Sequence, residues 1–206
     1  MYGANFLTKE FVDYISETYR QVSGEQNTKD KLIVPMFQAL GYDINCYDEV
    51  RTEIAGRRGD KREKVDYVLC IAGKPKIIVE AKDWRVNLGT AHINQLFRYF
   101  GASECKVAVL TNGIHYWFYS DFKQENVMDE LPFHKMNVLA PTAEDERFLT
   151  SICKVQQCSY DVNKLIIEKK VEQMLEDRER VAQLLTSLYF KSEDYDAVFN
   201  GVCKVI

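Results

Sequence analysis

The hydrophobic pattern of the chain centres on two apolar runs that each carry charge at one end. Residues 65–71 and 76–81 are rich in valine and isoleucine and are separated by a short segment that contains Gly73. Such runs predict two buried, neighbouring strands. Asp66 and Glu80 interrupt the apolar pattern, and a carboxylate in the core of a sheet is costly unless it meets a partner. A divalent metal ion is the partner that we expect.

The turn between the two runs decides whether the carboxylates meet. With a three-residue loop in which Gly73 adopts a positive φ, the strand register places Asp66 directly opposite Glu80. Lys82 follows Glu80 by two residues and therefore lies on the same face. A two-residue turn would instead shift the register by one residue and place Asp66 and Glu80 on opposite faces, because a slip of one residue exchanges the faces of a strand. The predicted site depends on this turn.

Periodic apolar positions predict helices and further strands on both sides of the hairpin. Pro35 predicts a kink in the second helix or a late start of it, because its ring clashes with the preceding turn. Thr142 and Asp145 predict a capping box at the start of a later helix. The whole pattern indicates an α/β fold. The predicted helices cover residues 5–21, 27–40, 90–100 and a segment from 142 onwards, and the further predicted strands cover residues 42–54, 106–110, 114–119 and 136–139.

The character of the sequence changes at Pro141. We therefore divide the chain into a sheet-containing domain, residues 1–140, and a C-terminal helical extension, residues 141–206. A long helix is predicted over residues 163–189, with apolar side chains at heptad-like steps of four and three. Two interpretations of this helix remain open: it packs on its own domain, or it forms the seam of a homodimer.

The composition indicates a globular, cytoplasmic protein. Of the 206 residues, 46% are hydrophobic and 28% are charged, and no segment has the pattern of a signal peptide or the length of a membrane span. Six cysteines without a CxxC pair predict reduced thiols. The net charge of −4 leaves two interpretations for the basic loop 55–64, which is either a solvated hairpin tip or a contact for phosphate.

Asp66 followed by Glu80-Ala81-Lys82 across a strand turn resembles the PD-(D/E)xK nuclease superfamily, although Val65 stands where the formula has proline. The surrounding sequence is similar to the N-terminal nuclease domain of the type I restriction enzyme R subunit, over roughly residues 20 to 140. This resemblance implies a restriction-endonuclease-like fold, a mixed β-sheet core flanked by helices. The further segments that carry it are Thr28-Lys29 and residues 39–43, 95–99 and 110–113.

The resemblance also implies the residues of the site. A metal ion would be held by Asp66, Glu80 and the backbone carbonyl of Ala81, with Glu25 as an additional candidate ligand. Mg²⁺ is the expected cofactor, and Mn²⁺ is expected to substitute for it. The implied catalytic residues are Asp66, Glu80, Lys82, Gln95 and Tyr99, the last two on a helix that faces the site.

These residue types suit the hydrolysis of a phosphodiester bond. An oxygen-ligated Mg²⁺ polarises the phosphoryl group and activates a water, and Lys82 can orient that water or offset the developing charge. The predicted function is that of a metal-dependent DNA endonuclease, a stand-alone relative of the R-subunit nuclease domain. The alternative is a non-catalytic nucleic-acid or protein-binding module that keeps the nuclease fold.

The resemblance and the pattern also predict partners. DNA is expected as the substrate, separate motor or specificity subunits as protein partners, and a second copy of the chain through the C-terminal helix. No membrane partner is expected. The sequence contains no GxxxxGKS phosphate loop, so no ATP site is predicted in this chain.

Overall fold

The computed structural model describes residues 6–55, 64–154 and 171–183. The chain divides into two compact units, Met1–Ile166 and Ile167–Ile206. In the second unit, residues 171–183 are helical, within the range predicted for the long helix. The basic residues at 57–62, the remainder of that helix and the C-terminal tail lie outside the described residues. In the ranges that the structure describes, no helix combines the length and the apolar character needed to cross a bilayer.

A sheet of six strands forms the centre of the first unit. The strands are β1 Val50–Ala55, β2 Lys64–Ile71, β3 Lys74–Ala81, β4 Val107–Thr111, β5 His115–Tyr119 and β6 His134–Asn137. They lie side by side in chain order, and each neighbouring pair is antiparallel except β3 and β4, which are parallel. A parallel pair requires a crossover connection, and the segment between β3 and β4 carries a helix.

Helices flank the sheet, as the sequence predicts. The main helices of the first unit are α1 Lys9–Thr18, α2 Glu25–Thr28, α3 Val34–Ala39, α4 Asn94–Gly101 and α5 Ala143–Ile152, with a π-helical turn at Lys29–Ile33 and short 3₁₀ turns at Tyr19–Gln21 and Thr90–His92. The crossover between β3 and β4 contains α4. The predicted α/β fold, a mixed sheet flanked by helices, is therefore confirmed.

The turn between β2 and β3 differs from the prediction. Ile71 pairs with Lys74, so the turn has two residues rather than three. Those residues are Ala72 and Gly73, and both have positive φ, at 50° and 73°. Two successive positive φ values are the hallmark of the tight turn that matches the twist of a hairpin. The predicted three-residue loop is wrong, although the positive φ at Gly73 is confirmed.

A bulge in β3 restores the predicted register. Cys70 pairs with Pro75, but Leu69 pairs with Ile77, so Lys76 is an extra residue on β3 and the register shifts by one position. Pro75 has no N–H to donate to the ladder, which makes this end of the strand a favourable place for an irregularity. Beyond the bulge, the strands pair as a three-residue loop would have paired them.

The second helical stretch contains the irregularity that Pro35 predicts. α2 continues into the π-helical turn Lys29–Ile33, and α3 follows it. Pro35 lacks the N–H that would bond to the carbonyl of Lys31 in an α-helix. That carbonyl instead accepts a hydrogen bond from the Tyr14 hydroxyl at 3.1 Å. The proline therefore alters the helix without breaking it.

Apolar side chains on the two faces of the sheet form two core clusters. The first cluster packs between the sheet and α1, α3 and α5, and the second packs between the sheet and α4. Representative members are Ile15, Phe37, Val79 and Phe148 in the first cluster and Val68, Ile78, Leu96 and Leu110 in the second.

Helix α5 follows the boundary predicted at residue 140 and belongs to the first core cluster through Phe148 and Leu149. Its predicted capping box is confirmed. The Thr142 hydroxyl accepts a hydrogen bond from the Asp145 backbone N–H, and the Asp145 carboxylate accepts one from the Thr142 N–H. The start of this helix is thus determined by local sequence, and its position by the apolar face.

Gly113, in the turn between β4 and β5, lies against the π-helical turn. Its φ is +81°, and a Cβ placed on it would lie 2.6 Å from the Cβ of Leu32. Leu32 is fully buried, so it has little room to move. The absence of a side chain at residue 113 therefore allows this helical stretch to approach the sheet.

We expect Gly113→Ala to lower the free energy of unfolding by about 2 to 5 kcal/mol, because it adds both backbone strain at positive φ and a steric clash. The measurement is the urea unfolding midpoint, followed by circular dichroism. Gly89→Ala is the control, since Gly89 has extended backbone and open space around its Cβ position. A loss below about 0.5 kcal/mol in Gly113→Ala, equal to the control, would contradict the close packing.

Candidate active site

Asp66 and Glu80 lie across from each other on β2 and β3. The last pair of the β2–β3 ladder joins Tyr67 to Val79, and the same register continued by one residue sets Asp66 opposite Glu80. The Ala81 backbone N–H donates a hydrogen bond to Oδ2 of Asp66 at 2.7 Å, which holds this carboxylate against β3. The predicted register of the site is therefore present, although the turn that was expected to produce it is not.

Glu80 is a buried carboxylate with one free oxygen. Its side chain is 3% exposed, and Lys82 Nζ donates to its Oε1 at 2.5 Å. Its Oε2 is buried and has no hydrogen-bond partner among the described residues. Burial raises the pKa of Glu80 to about 7, and the hydrogen bond from Lys82 opposes that shift only in part. Lys82 thus lies beside Glu80 on the predicted face.

Lys29 is a site residue that the sequence did not single out. It begins the π-helical turn, and its Nζ contacts Asp66 Oδ1 at 2.5 Å and Glu25 Oε1 at 3.0 Å. Burial acts to lower the pKa of Lys29, but hydrogen bonds and charge from Asp66 and Glu25 outweigh it and raise the pKa to about 12. Lys29 lies in the Thr28-Lys29 segment that carries the family resemblance, and its spacing of four from Glu25 predicts a helical ion pair, but neither signal predicts the contact with β2.

Glu25 reaches the site through Lys29. Its side chain is 44% exposed, and its described partner is the Lys29 ammonium, which also binds Asp66. Glu25 therefore completes a chain of alternating charges that runs from the start of α2 to β2. The structure places it as the neighbour of Lys29, and its role as a metal ligand stays a prediction.

Gln95 and Tyr99 lie at different ends of the strands. The Gln95 carboxamide donates to the backbone carbonyl of Lys64, two residues before Asp66, so it lies at the carboxylate end of β2. Tyr99 packs on the second core cluster, with Cys70 among its neighbours. Cys70 is about 13 Å along β2 from Asp66, at about 3.3 Å per residue.

Burial at this position raises the pKa of the Tyr99 phenol. The structure brings Gln95 near the carboxylate end of β2 but holds it to backbone, and it places Tyr99 about one helical turn farther from that end. The expectation that both side chains face the carboxylates is corrected for Tyr99. The sequence indicated that they share a helix face, but not the direction in which α4 crosses the sheet.

The segment after Lys82 is fixed to the helix that carries Lys29. The Trp84 backbone N–H donates to the hydroxyl of Thr28 at 3.2 Å, and its indole N–H donates to the carbonyl of Val22 at 2.8 Å. Thr28 directly precedes Lys29, so the two lysines of the site are linked through these hydrogen bonds. The site is thereby assembled from α2, the π-helical turn, β2 and β3.

The donor set suits a hard divalent cation. Asp66, Glu80 and the Ala81 carbonyl offer oxygen ligands, and the buried Oε2 of Glu80 is a polar atom in need of a partner. Within the described ranges, no group of three or more His, Cys, Asp or Glu side chains is arranged to hold a metal ion. Mg²⁺ is commonly held by one or two carboxylates together with waters and substrate phosphate, so two carboxylates suffice for it.

Fold and site together define a restriction-endonuclease-like α/β unit in which paired carboxylates meet lysines. Residues 49–127 match the family model described as type I restriction enzyme R protein N terminus. The match covers 79 of the 206 residues and includes β1 to β5 with Asp66, Glu80 and Lys82. Over this segment the chain is similar to the N-terminal region of the type I restriction R subunit, and the predicted resemblance is confirmed there. No significant match was found among curated proteins or among solved structures.

The raised pKa of Glu80 predicts a pH-dependent stability in metal-free buffer. Between pH 4.5 and about 7, folded Glu80 holds a proton that the unfolded chain releases, so its contribution is present below pH 4.5 and is lost as the pH rises through 7. We expect the free energy of unfolding of the wild type, relative to Glu80→Gln, to fall by about 1 to 3 kcal/mol over this range.

The measurement is urea unfolding in EDTA at several pH values. Hydrogen bonds from Arg85 lower the pKa of Asp83 to about 2. The stability that Asp83 contributes is therefore lost as the pH falls below about 4, outside this range and opposite in direction to the effect of Glu80. Glu130→Gln, at an exposed position, is the control and should follow the wild type at each pH. A constant difference between wild type and Glu80→Gln would contradict the prediction, because it would show that folding does not raise the pKa of Glu80.

Proposed function

We propose that this protein is a metal-dependent DNA endonuclease, related to the nuclease domain of the type I restriction R subunit and hydrolysing phosphodiester bonds. The observation that carries the proposal is the placement of Asp66 opposite Glu80, with Lys82 on Glu80, inside the segment that matches the family model. Paired carboxylates beside a lysine are the arrangement that metal-assisted hydrolysis requires.

Asp66 and Glu80, with the Ala81 carbonyl, would hold Mg²⁺, and Mn²⁺ would substitute for it. When bound, the ion supplies Lewis acidity and lowers the pKa of a coordinated water. The free Oε2 of Glu80 supports this assignment, because it is buried and lacks a partner among the described residues. A cation beside it would also favour the charged form of Glu80, which burial disfavours.

Lys82 would act next to the metal. Its side chain is 21% exposed, so its ammonium lies beside the buried Glu80 and still reaches solvent. From that position it can hold a water in line with a phosphate or offset charge on the phosphoryl oxygens. Gln95 is proposed to support the carboxylate end of β2 through its bond to Lys64, and not to contact the substrate.

A second function is favoured by one specific observation. Asp66 already has Lys29 as its partner, and Glu80 has Lys82, so much of the negative charge is balanced by lysines. A site balanced in this way suits a non-catalytic nucleic-acid or protein-binding module that keeps the nuclease fold. The two functions differ in whether a metal ion is required.

The family name supports DNA and other restriction subunits as partners. DNA is proposed as the substrate, and motor or specificity subunits as protein partners. Dimerisation through the C-terminal helix stays a prediction, because much of the predicted helix lies outside the described residues. Its test is the mass in solution of the full chain.

We expect the wild type to nick or cleave plasmid DNA with Mg²⁺ or Mn²⁺, and Glu80→Gln and Lys82→Met each to slow the reaction by at least about 100-fold. The rate is measured from gel-resolved plasmid forms under enzyme excess. Lys74→Met and Glu130→Gln are matched controls, since both positions are exposed and Lys74 lies at the other end of β3. Both controls should cleave as the wild type does.

Two results would contradict the catalytic proposal. Equal cleavage by every variant would indicate a contaminating nuclease. No cleavage with either metal, together with DNA binding that is unchanged by EDTA, would favour the non-catalytic module.

A further inference from the structure

We infer that Lys29 is a positioning residue that holds Asp66 in place without metal and competes with the metal ion for the Asp66 carboxylate. The inference rests on the proposed function, because it takes Asp66 as a metal ligand. It goes beyond that function in assigning a role to a lysine on the helical side of the site.

The π-helical turn brings Lys29 to the sheet. Lys29 begins this turn, and Leu32 and Ile33 within it are fully buried in the first core cluster. Turns of this kind are rare and occur frequently at functional sites, because they change the direction of side chains relative to an α-helix. The buried leucine and isoleucine anchor the turn, so the Lys29 ammonium is held near β2.

Lys29 fixes one of the two Asp66 oxygens. Its ammonium donates a hydrogen bond to Oδ1 at 2.5 Å, while the Ala81 backbone N–H donates one to Oδ2 at 2.7 Å. The side chains of Lys29 and Asp66 are only 15% and 16% exposed, so little water screens the pair. With both oxygens engaged, the carboxylate has one defined orientation toward Glu80.

The same contact stands in the way of a metal ion. A metal ligated by Asp66 must take an oxygen that already accepts a hydrogen bond, and a divalent ion repels an ammonium at this distance. Oδ1 can be released, because its partner is a flexible side chain, whereas Oδ2 is bonded to the backbone of β3. The Lys29 ammonium therefore opposes a metal ion at Oδ1 by charge repulsion, and we expect metal binding to move that ammonium away.

Glu25 gives Lys29 a second position. The Glu25 carboxylate lies 3.0 Å from Lys29 Nζ and four residues earlier in the chain. It is the more exposed of the two partners, at 44%, so it can follow the lysine away from Asp66. The ammonium then remains paired when the metal takes its place.

The two lysines of the site therefore differ. Lys82 binds Oε1 of Glu80 and leaves Oε2 free, so a metal can approach Glu80 without displacing it. At Asp66 both oxygens already accept a hydrogen bond, and the Lys29 ammonium lies directly beside Oδ1. We therefore expect a metal ion to displace the lysine at Asp66 and not the lysine at Glu80.

A double-mutant cycle in EDTA tests the positioning role without metal. Lys29→Met, Asp66→Asn and the double variant are compared with the wild type by urea unfolding. We expect the effects of the single changes on the unfolding constant to be coupled by at least about fivefold. Additive effects would overturn the positioning role. Lys29→Arg keeps the charge and should recover most of the wild-type stability.

Mn²⁺ titration of the full chain by calorimetry tests the competition. We expect Lys29→Met to bind Mn²⁺ about tenfold more tightly than the wild type, because a nearby positive charge has been removed. Lys29→Arg should remain within about threefold of the wild type. Lys31→Met, at an exposed position two residues along the same turn, removes an equal charge and should bind as the wild type does.

The outcomes separate this inference from the proposed function. If the wild type binds Mn²⁺ and Lys29→Met binds it equally well or more weakly, the competition is overturned but the metal site is kept. Binding absent from the wild type and from every variant overturns the metal site of the proposed function and the competition with it. Binding that appears or tightens only in Lys29→Met supports the competition.

Discussion

The pairing of β2 with β3 is the constraint on which the site depends. A two-residue turn alone would set Val65 opposite Glu80 and direct Asp66 to the other face. The extra residue in β3 at Lys76 corrects the register before the strands reach the carboxylates. The bulge thus determines the geometry of the site, because without it the two acidic side chains would lie on opposite faces of the hairpin.

A carboxylate buried in the sheet destabilises the folded state unless both of its oxygens have partners. Glu80 has one oxygen on Lys82 and one without a described partner, and its raised pKa reflects the cost of ionising it there. Asp66, in contrast, has a hydrogen-bond donor on each oxygen, the Lys29 ammonium on Oδ1 and the Ala81 N–H on Oδ2. The same two acids that would serve a metal are therefore unequal without one, since Asp66 is satisfied and Glu80 is not.

Local sequence predicted what local interactions determine. The strands, the capping box at Thr142 and the irregularity at Pro35 follow from residues a few positions apart, and each is present. The register of Asp66 and Glu80 was also predicted, but through a loop length that is wrong. The contact of Lys29 with Asp66 was not predicted, and Tyr99 was placed too close to the carboxylates. Both positions depend on how a helix crosses the sheet, which spacing along the chain does not determine.

The turn between β4 and β5 contacts both segments that carry the lysines of the site. Gly113 lets Leu32 approach, and Leu32 lies three residues after Lys29 in the same π-helical turn. Beside it, the Asn112 carboxamide donates to the carbonyls of Trp84 and Val86 at 3.1 and 3.0 Å, which fixes the segment after Lys82. One turn therefore positions both lysines. The proposed competition at Asp66 would therefore depend on the core as well as on the site, because the packing of Leu32 against Gly113 determines where the helical turn places Lys29.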